Sequence, residues 1–261
     1  MSEYETITFE QRDAVARICL NRPEAANGLN RLMGDELNQA ARICDSTPSI
    51  KVVQLTATGR FFSAGGDIRE FAEQGETIGR EIKGLADSLH STIATFRRMD
   101  AALVIAVNGI AAGAGFSMAI AGDIVLAGRS ASFTMAYTRA GLSPDGSSSY
   151  FLPRLVGLRK AQELMLLNTT LTAEEAAECG LITAMVDDDD LMQEVEKIID
   201  NLSQASLPST AAVKGLLLAS SGNSLETQME LEGRALAKCA SGDDGQEGIK
   251  AFLGKRQPSF K

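Results

Sequence analysis

Leu103-Val-Ile-Ala-Val-Asn-Gly-Ile-Ala-Ala-Gly-Ala-Gly-Phe116 passes from an unbroken apolar run through a glycine-rich turn into small residues. The run Leu103 to Val107 reads as a buried strand, because a half-exposed strand would alternate apolar and polar residues. The small residues that follow predict a helix at about 114–121. The same design occurs upstream, where Val52-Val-Gln-Leu-Thr56 opens into Gly59-Arg-Phe-Phe-Ser-Ala-Gly-Gly-Asp67.

Outward from these stretches, Ile7 to Phe9 and Ala14 to Leu20 predict a hairpin around Gln11-Arg12-Asp13, broken by Asn21-Arg22-Pro23. Met33, Leu37, Ala40, Ala41 and Cys44 recur at helical spacing over about 31–45. Ile78, Ile82, Leu85, Leu89, Ile93 and Phe96 do so over about 78–98. Ile124 to Ala127 reads as a strand and Leu155 to Leu167 as an amphipathic stretch, while Thr172-Ala-Glu-Glu175 is a capping-box start. From Asp187 onward only helices are predicted, at about 188–204, 208–220, 224–240 and 244–253. Strands alternating with helices give an α/β core over 1–186, and 187–261 forms a helical C-terminal region. No repeat of fixed period and no Pro- or Ser-rich linker is present.

The 261 residues suffice for one large domain with a buried core. With 34 acidic and 25 basic side chains the formal charge is −9, which argues against nucleic acid or an anionic membrane as partner. An anionic ligand must then be met by a few local bases or by backbone N–H groups. His90 is the single histidine, so one chain cannot build a multi-histidine metal site. Asp187 to Asp190 read as a solvated turn before a helix, where acidic charge suits the helix dipole. Cys19, Cys44, Cys179 and Cys239 form no CxxC pair and read as reduced, buried thiols. A polar N-terminus and the lack of any run of about 18 apolar residues predict a cytoplasmic protein. No metal or redox cofactor is expected.

Ser63-Ala-Gly-Gly66-Asp67 and Ala112-Gly-Ala-Gly115 share one physical possibility. Small residues let a ligand approach the backbone, and a helix N-terminus presents unpaired N–H groups. Two such ends can polarise one carbonyl oxygen and stabilise an enolate or tetrahedral oxyanion. Equally, the glycines can simply permit tight strand-to-helix turns. A dinucleotide fingerprint fails on spacing, since Met118 stands where Gly113-x-Gly115 needs a third glycine.

Four segments, Leu20-Asn-Arg-Pro-Glu-Ala-Ala-Asn-Gly-Leu29, Phe62-Ser-Ala-Gly-Gly-Asp-Ile68, Val107 to Gly115 and Glu247-Gly-Ile-Lys-Ala-Phe-Leu-Gly-Lys-Arg256, resemble the crotonase (enoyl-CoA hydratase/isomerase) superfamily. The resemblance covers nearly the whole chain in order. It implies a spiral of ββα units, a C-terminal helical trimerisation region, a homotrimer or dimer of trimers, and acyl-CoA ligands, with coenzyme A part of the substrate. It also implies that the backbone N–H groups of Gly66 and Ala114 hold the thioester oxygen. Arg22, Glu24, Ala26, Ala64, Asp67 and Ile68 resemble segments that hold pantetheine and adenine. Phe252 and Lys255 resemble tail positions that reach coenzyme A from a neighbouring subunit.

The two glutamates with which hydratases of the family activate water are replaced here by Ser117 and Tyr137. Asp145, in Leu142-Ser-Pro-Asp-Gly-Ser-Ser-Ser149, is the remaining acid. Locally it reads as a helix N-cap in a turn, with Ser148 at N3. By resemblance it is similar to the acid/base of the epoxyphenylacetyl-CoA isomerase branch, and equally to the nucleophile of 4-chlorobenzoyl-CoA dehalogenases. His90, about 60° from Ile93 around its helix at 100° per residue, is either a packed helix residue or the dehalogenase-type water activator. The expected activity is a proton shift through Asp145 that moves a double bond or a ring. Aryl-CoA hydrolysis with His90 as base is one alternative, and acyl-CoA binding without turnover is the other.

Overall fold

The computed structural model describes residues 4–260. β1 (Ile7–Arg12) and β2 (Val15–Leu20) form the predicted hairpin, turning at Asp13 with φ of 52°. α1 (Arg31–Ser46) follows, its start fixed by the Asn30 side chain, which accepts from the Met33 N–H at 2.9 Å.

The chain then repeats one step. β3 (Val52–Ala57) joins a large sheet and β4 (Phe61–Ser63) a small one, before α2 (Ile68–Ala72) and α3 (Ile78–Arg98). β5 (Ala102–Val107) and β6 (Ile110–Ala112) divide between the sheets in the same way and lead to α4 (Ala114–Ala119). So do β7 (Ile124–Gly128) and β8 (Ser132–Thr134), which lead to α5 (Ser148–Leu167). β9 (Leu171–Thr172), α6 (Ala173–Glu178) and β10 (Ala184–Val186) reverse the order of the sheets. The large sheet runs β1-β2-β3-β5-β7-β10 and is parallel beyond the first hairpin, while the small sheet runs β4-β6-β8-β9. This is the spiral of ββα units that the resemblance implied. Its helices range from 5 residues in α2 to 21 in α3, so spatial repetition leaves no fixed period in the sequence.

Every residue of β5 is buried, as its continuous apolar run requires at the centre of the sheet. Leu103, Ile105 and Val107 pack in the main core with Leu37 of α1 and Leu89 and Phe96 of α3. Val104 and Ala106 face the other way, into a second cluster with Leu191, Val195 and Ile199 of α7 (Leu191–Ser203). α8 (Leu207–Ser220), α9 (Leu225–Ser241) and α10 (Asp243–Leu253) complete the helical C-terminal region. Lys214 anchors α8 to the core: its buried ammonium donates to the carbonyls of Phe96 and Ala101 and pairs with Asp123 at 2.8 Å. Burial pushes its pKa below the ordinary lysine value.

Some predicted features change. β4, β6, β8, β9 and β10 fall in segments read as loops, because two or three residues show no periodicity of their own. The helix expected from Leu155 starts at Ser148 and breaks at Gly157, whose φ of 77° is closed to ordinary helical residues. Only Cys44 of the four thiols is buried, and burial pushes it up to about 12; Cys19, Cys179 and Cys239 are partly exposed. Asp187 accepts from Arg129 at 2.7 Å, and Asp188 accepts from the Ser130 N–H, in the turn before α7. Among the described residues, no helix is long and apolar enough to cross a membrane.

Candidate active site

The two glycine loops meet main chain to main chain. Gly65, at φ of 94°, lies so close to the other loop that a Cβ would stand 2.9 Å from the Ala112 carbonyl oxygen and 3.2 Å from the Ala114 nitrogen. Ser63 sits beneath both: its hydroxyl donates to the Asn27 carbonyl at 2.8 Å and accepts from the Gly65 N–H at 3.2 Å. A third segment clamps them. Asn27 is fully buried, and its amide donates to the carbonyls of Thr58 and Phe61, both at 2.8 Å. The motifs that contain Asn27, Ser63 and Gly65 do not disclose these contacts, because the partners lie some 30 to 50 residues away in the chain.

The direction of the Gly66 amide follows from its neighbours. Leu29 donates to the Gly65 carbonyl at 2.7 Å and accepts from the Asp67 N–H at 2.9 Å, forming a parallel bridge opposite Gly66. In such a bridge the central residue's own N–H and C=O point away from the partner strand. Ala114 opens α4 directly after Gly113, which has φ of 53°, so its N–H is one of the unpaired donors of a helix start. Gly66 and Ala114 both line one cavity of about 1040 Å³. Leu85, Leu89 and Ile93 of α3, with Phe71, give it an apolar wall.

Asp145 also lines this cavity and is the centre of its polar side. The expected N-cap role for its side chain is not what the structure shows. Ser147, at φ of 63°, occupies the cap position, and Asp145 gives only its backbone carbonyl to Ser148, at 2.8 Å from the hydroxyl. Its carboxylate turns instead to Tyr137, whose hydroxyl donates to Oδ1 at 2.5 Å and lies 3.0 Å from Ser117 Oγ. Burial first, and then the Asp145 charge, hold the Tyr137 phenol well above its usual pKa, so it stays a donor. Ser117 and Tyr137 thus form a hydrogen-bonded chain to the Asp145 carboxylate. Oδ2 accepts no hydrogen bond among the described residues.

His90 is more exposed than its place beside an apolar stripe suggested, with 48% of its side chain accessible. Its Nε2 accepts the Gly146 N–H at 3.1 Å and stands 3.9 Å from Asp145 Oδ2, beyond hydrogen-bond reach. The neutral ring therefore carries its proton on Nδ1, and the Nε2 lone pair is occupied.

The remaining site candidates divide. Ala64 and Ile68 line the cavity, and Ile68 is 55% exposed. Arg22 is already bonded, to the Gly28 carbonyl at 2.6 Å and Asp67 Oδ2 at 3.1 Å, while Asp67 also caps α2. The Ala26 carbonyl accepts from the Ala64 N–H at 3.0 Å, and Glu24 is exposed in the short helical turn Pro23–Ala25. Phe252, 83% exposed, and Lys255 lie on the C-terminal tail and do not line the cavity of their own chain.

Alternate strands shared between two sheets, with glycine loops brought together over an apolar cavity, define the crotonase fold class. The chain belongs to the enoyl-CoA hydratase/isomerase family, whose profile matches residues 10–261. It is 37% identical over 261 residues to a protein of Rhodobacter capsulatus named "Probable enoyl-CoA hydratase", covering 98% of each. It is 34% identical over 260 residues to the 1,2-epoxyphenylacetyl-CoA isomerase of Escherichia coli, again covering 98% of each. The crystal structure of an enoyl-CoA hydratase from Bacillus anthracis matches with a TM-score of 0.93 at 27% identity, over 98% of this chain and 99% of that one.

Proposed function

We propose that the chain is an acyl-CoA isomerase in which Asp145 moves a proton between carbons α and γ to the thioester. The observation that carries this reading is Asp145, the single cavity carboxylate among the described residues, with one oxygen held by Tyr137 and the other accepting no hydrogen bond from them. In the forward direction Asp145 removes a proton from Cα, and the electron pair becomes a dienolate. The Gly66 and Ala114 N–H groups hold its oxygen. Asp145 then returns the proton to Cγ, so the double bond moves into conjugation with no water gained or lost. Preorganised donors act here in a largely apolar cavity, where they are worth more than in water.

A hydratase needs a second carboxylate to activate water, and Ser117 and Tyr137 supply none. The dehalogenase reading asks His90 for a free lone pair beside Asp145, and the Gly146 N–H takes the one that faces it. A β,γ-enoyl-CoA labelled with deuterium at Cα tests the proposal. The expected product is the conjugated isomer at unchanged mass apart from washed-out label, with deuterium found at Cγ. A product heavier by one water, or no conversion across a range of acyl chains, would refute it.

We further propose a homotrimer, supported by the exposed apolar side chains of the C-terminal helices, among them Leu217, Leu225, Leu236 and Phe252. Light scattering should give about three times the 27.7 kDa of one chain, or twice that for a dimer of trimers. A monomer mass would refute it.

A further inference from the structure

The cavity does not end at Asp145. It continues along α3 from His90 past Ile93 and Ala94 to Arg97 and Arg98, a run of about 10 Å at 1.5 Å per residue. Tyr150 and Phe151 of α5 and Leu218 of α8 close this far end. Its charge is unusual for a wall that is otherwise apolar. Arg97 and Lys214 share the Asp123 carboxylate, at 3.0 and 2.8 Å, and Asp100 acts on Lys214. Arg98 is exposed and forms no ion pair among the described residues. Arg97 and Arg98 thus line this end of the cavity with no carboxylate beside them among its described lining residues, in a protein whose overall charge is −9.

Arg97 itself is only partly satisfied. One terminal nitrogen makes all its hydrogen bonds, to the carbonyls of Ala121 and Gly122 and to Asp123. The guanidinium lies 4.8 Å above the Phe151 ring, and its Nε is buried with no partner. The second terminal nitrogen makes no hydrogen bond among the described residues and, unlike Nε, is not sealed from the cavity.

We infer that the far end of the cavity binds an anionic group at the ω-end of the acyl chain, so that the preferred substrates are CoA monothioesters of dicarboxylic acids. The inference rests on reading the cavity as an acyl-CoA site. A terminal carboxylate would accept from that second terminal nitrogen of Arg97 and from Arg98, both on residues that line the cavity, and balance the excess charge. A plain alkyl end would leave both unmet.

The test uses saturated thioesters, which bind without turnover, so that it stands apart from the isomerase chemistry. Calorimetry compares adipoyl-, suberoyl- and sebacoyl-CoA with hexanoyl-, octanoyl- and decanoyl-CoA on the full chain. At one or more lengths the ω-carboxylate should bind about tenfold more tightly, as a charge-assisted hydrogen bond allows. Arg98→Met and Arg97→Lys, the latter keeping a cation for Asp123 but no second terminal nitrogen, should bring that ratio towards one. Equal affinity at every length, a ratio untouched by both substitutions, or no binding of either series overturns the inference. A clear ratio with no turnover of any enoyl-CoA would sink the isomerase reading alone.

Discussion

Asp145→Asn lowers kcat by about a thousandfold while the affinity for saturated acyl-CoA stays within about twofold, in the range general acid–base groups supply. The substitution keeps the shape of the side chain and an oxygen able to accept the Tyr137 hydroxyl at the Oδ1 position. The backbone carbonyl that anchors Ser148 is untouched, so the loop before α5 retains its form. What disappears is the carboxylate lone pair on Oδ2, which accepts no hydrogen bond among the described residues. Tyr137→Phe provides the contrast, because it leaves the carboxylate but removes the donor that orients it. A hydrogen bond to a charged group is worth roughly 1.5 kcal/mol, so kcat should fall about tenfold. Steady-state kinetics on both variants with one β,γ-enoyl-CoA reads the difference. Turnover by Asp145→Asn at the parent rate would remove Asp145 from the mechanism.

Ala114→Pro should lower kcat/KM by 10²–10³-fold, about 3–4 kcal/mol of barrier, with the fold preserved. The first residue of a helix is the one place where proline fits without breaking a backbone hydrogen bond, since that N–H has no intrahelical acceptor. Ala114 holds that position in α4, and the residue before it is Gly113, free to keep φ of 53° and ψ of −126°. The variant therefore keeps the helix start while it deletes the donor and sets the ring Cδ where the N–H pointed, so both changes act on the oxygen's place and not on the fold. Circular dichroism and thermal melting confirm the fold, and kinetics reads the donor. If a folded Ala114→Pro enzyme turned over at the parent rate, Gly66 would have to hold the oxyanion alone or the oxygen would lie elsewhere.

Much of the large sheet was legible because β3, β5 and β7 are buried and leave long apolar runs, and the bounds of α3 agree with its stripe to the residue. The small sheet was not. Phe61 pairs with Ile110, a partner nearly fifty residues away, and three residues carry no period from which to infer it. The glycine loops announced exposed backbone, yet their mutual contact at Gly65 depends on two loops no local rule connects. Ser-Pro-Asp-Gly correctly signalled a turn. Whether the Asp145 carboxylate caps the helix or leaves it is decided by Tyr137, which the local pattern does not place. Arg97 gave no signal at all: a basic residue at a helix C-terminus reads as a dipole partner.

The contact between Gly65 and the Ala112 carbonyl has a consequence for descent as well as for catalysis. On the proposed mechanism, the part of the site that would polarise the thioester is written in main chain, where most point substitutions leave no mark. The part proposed to move protons is written in the side chains at 117, 137 and 145, each replaceable by a single codon change. Inheritance can thus exchange one half while the other stands fixed, and a lineage can alter its reaction without relearning how to hold the carbonyl.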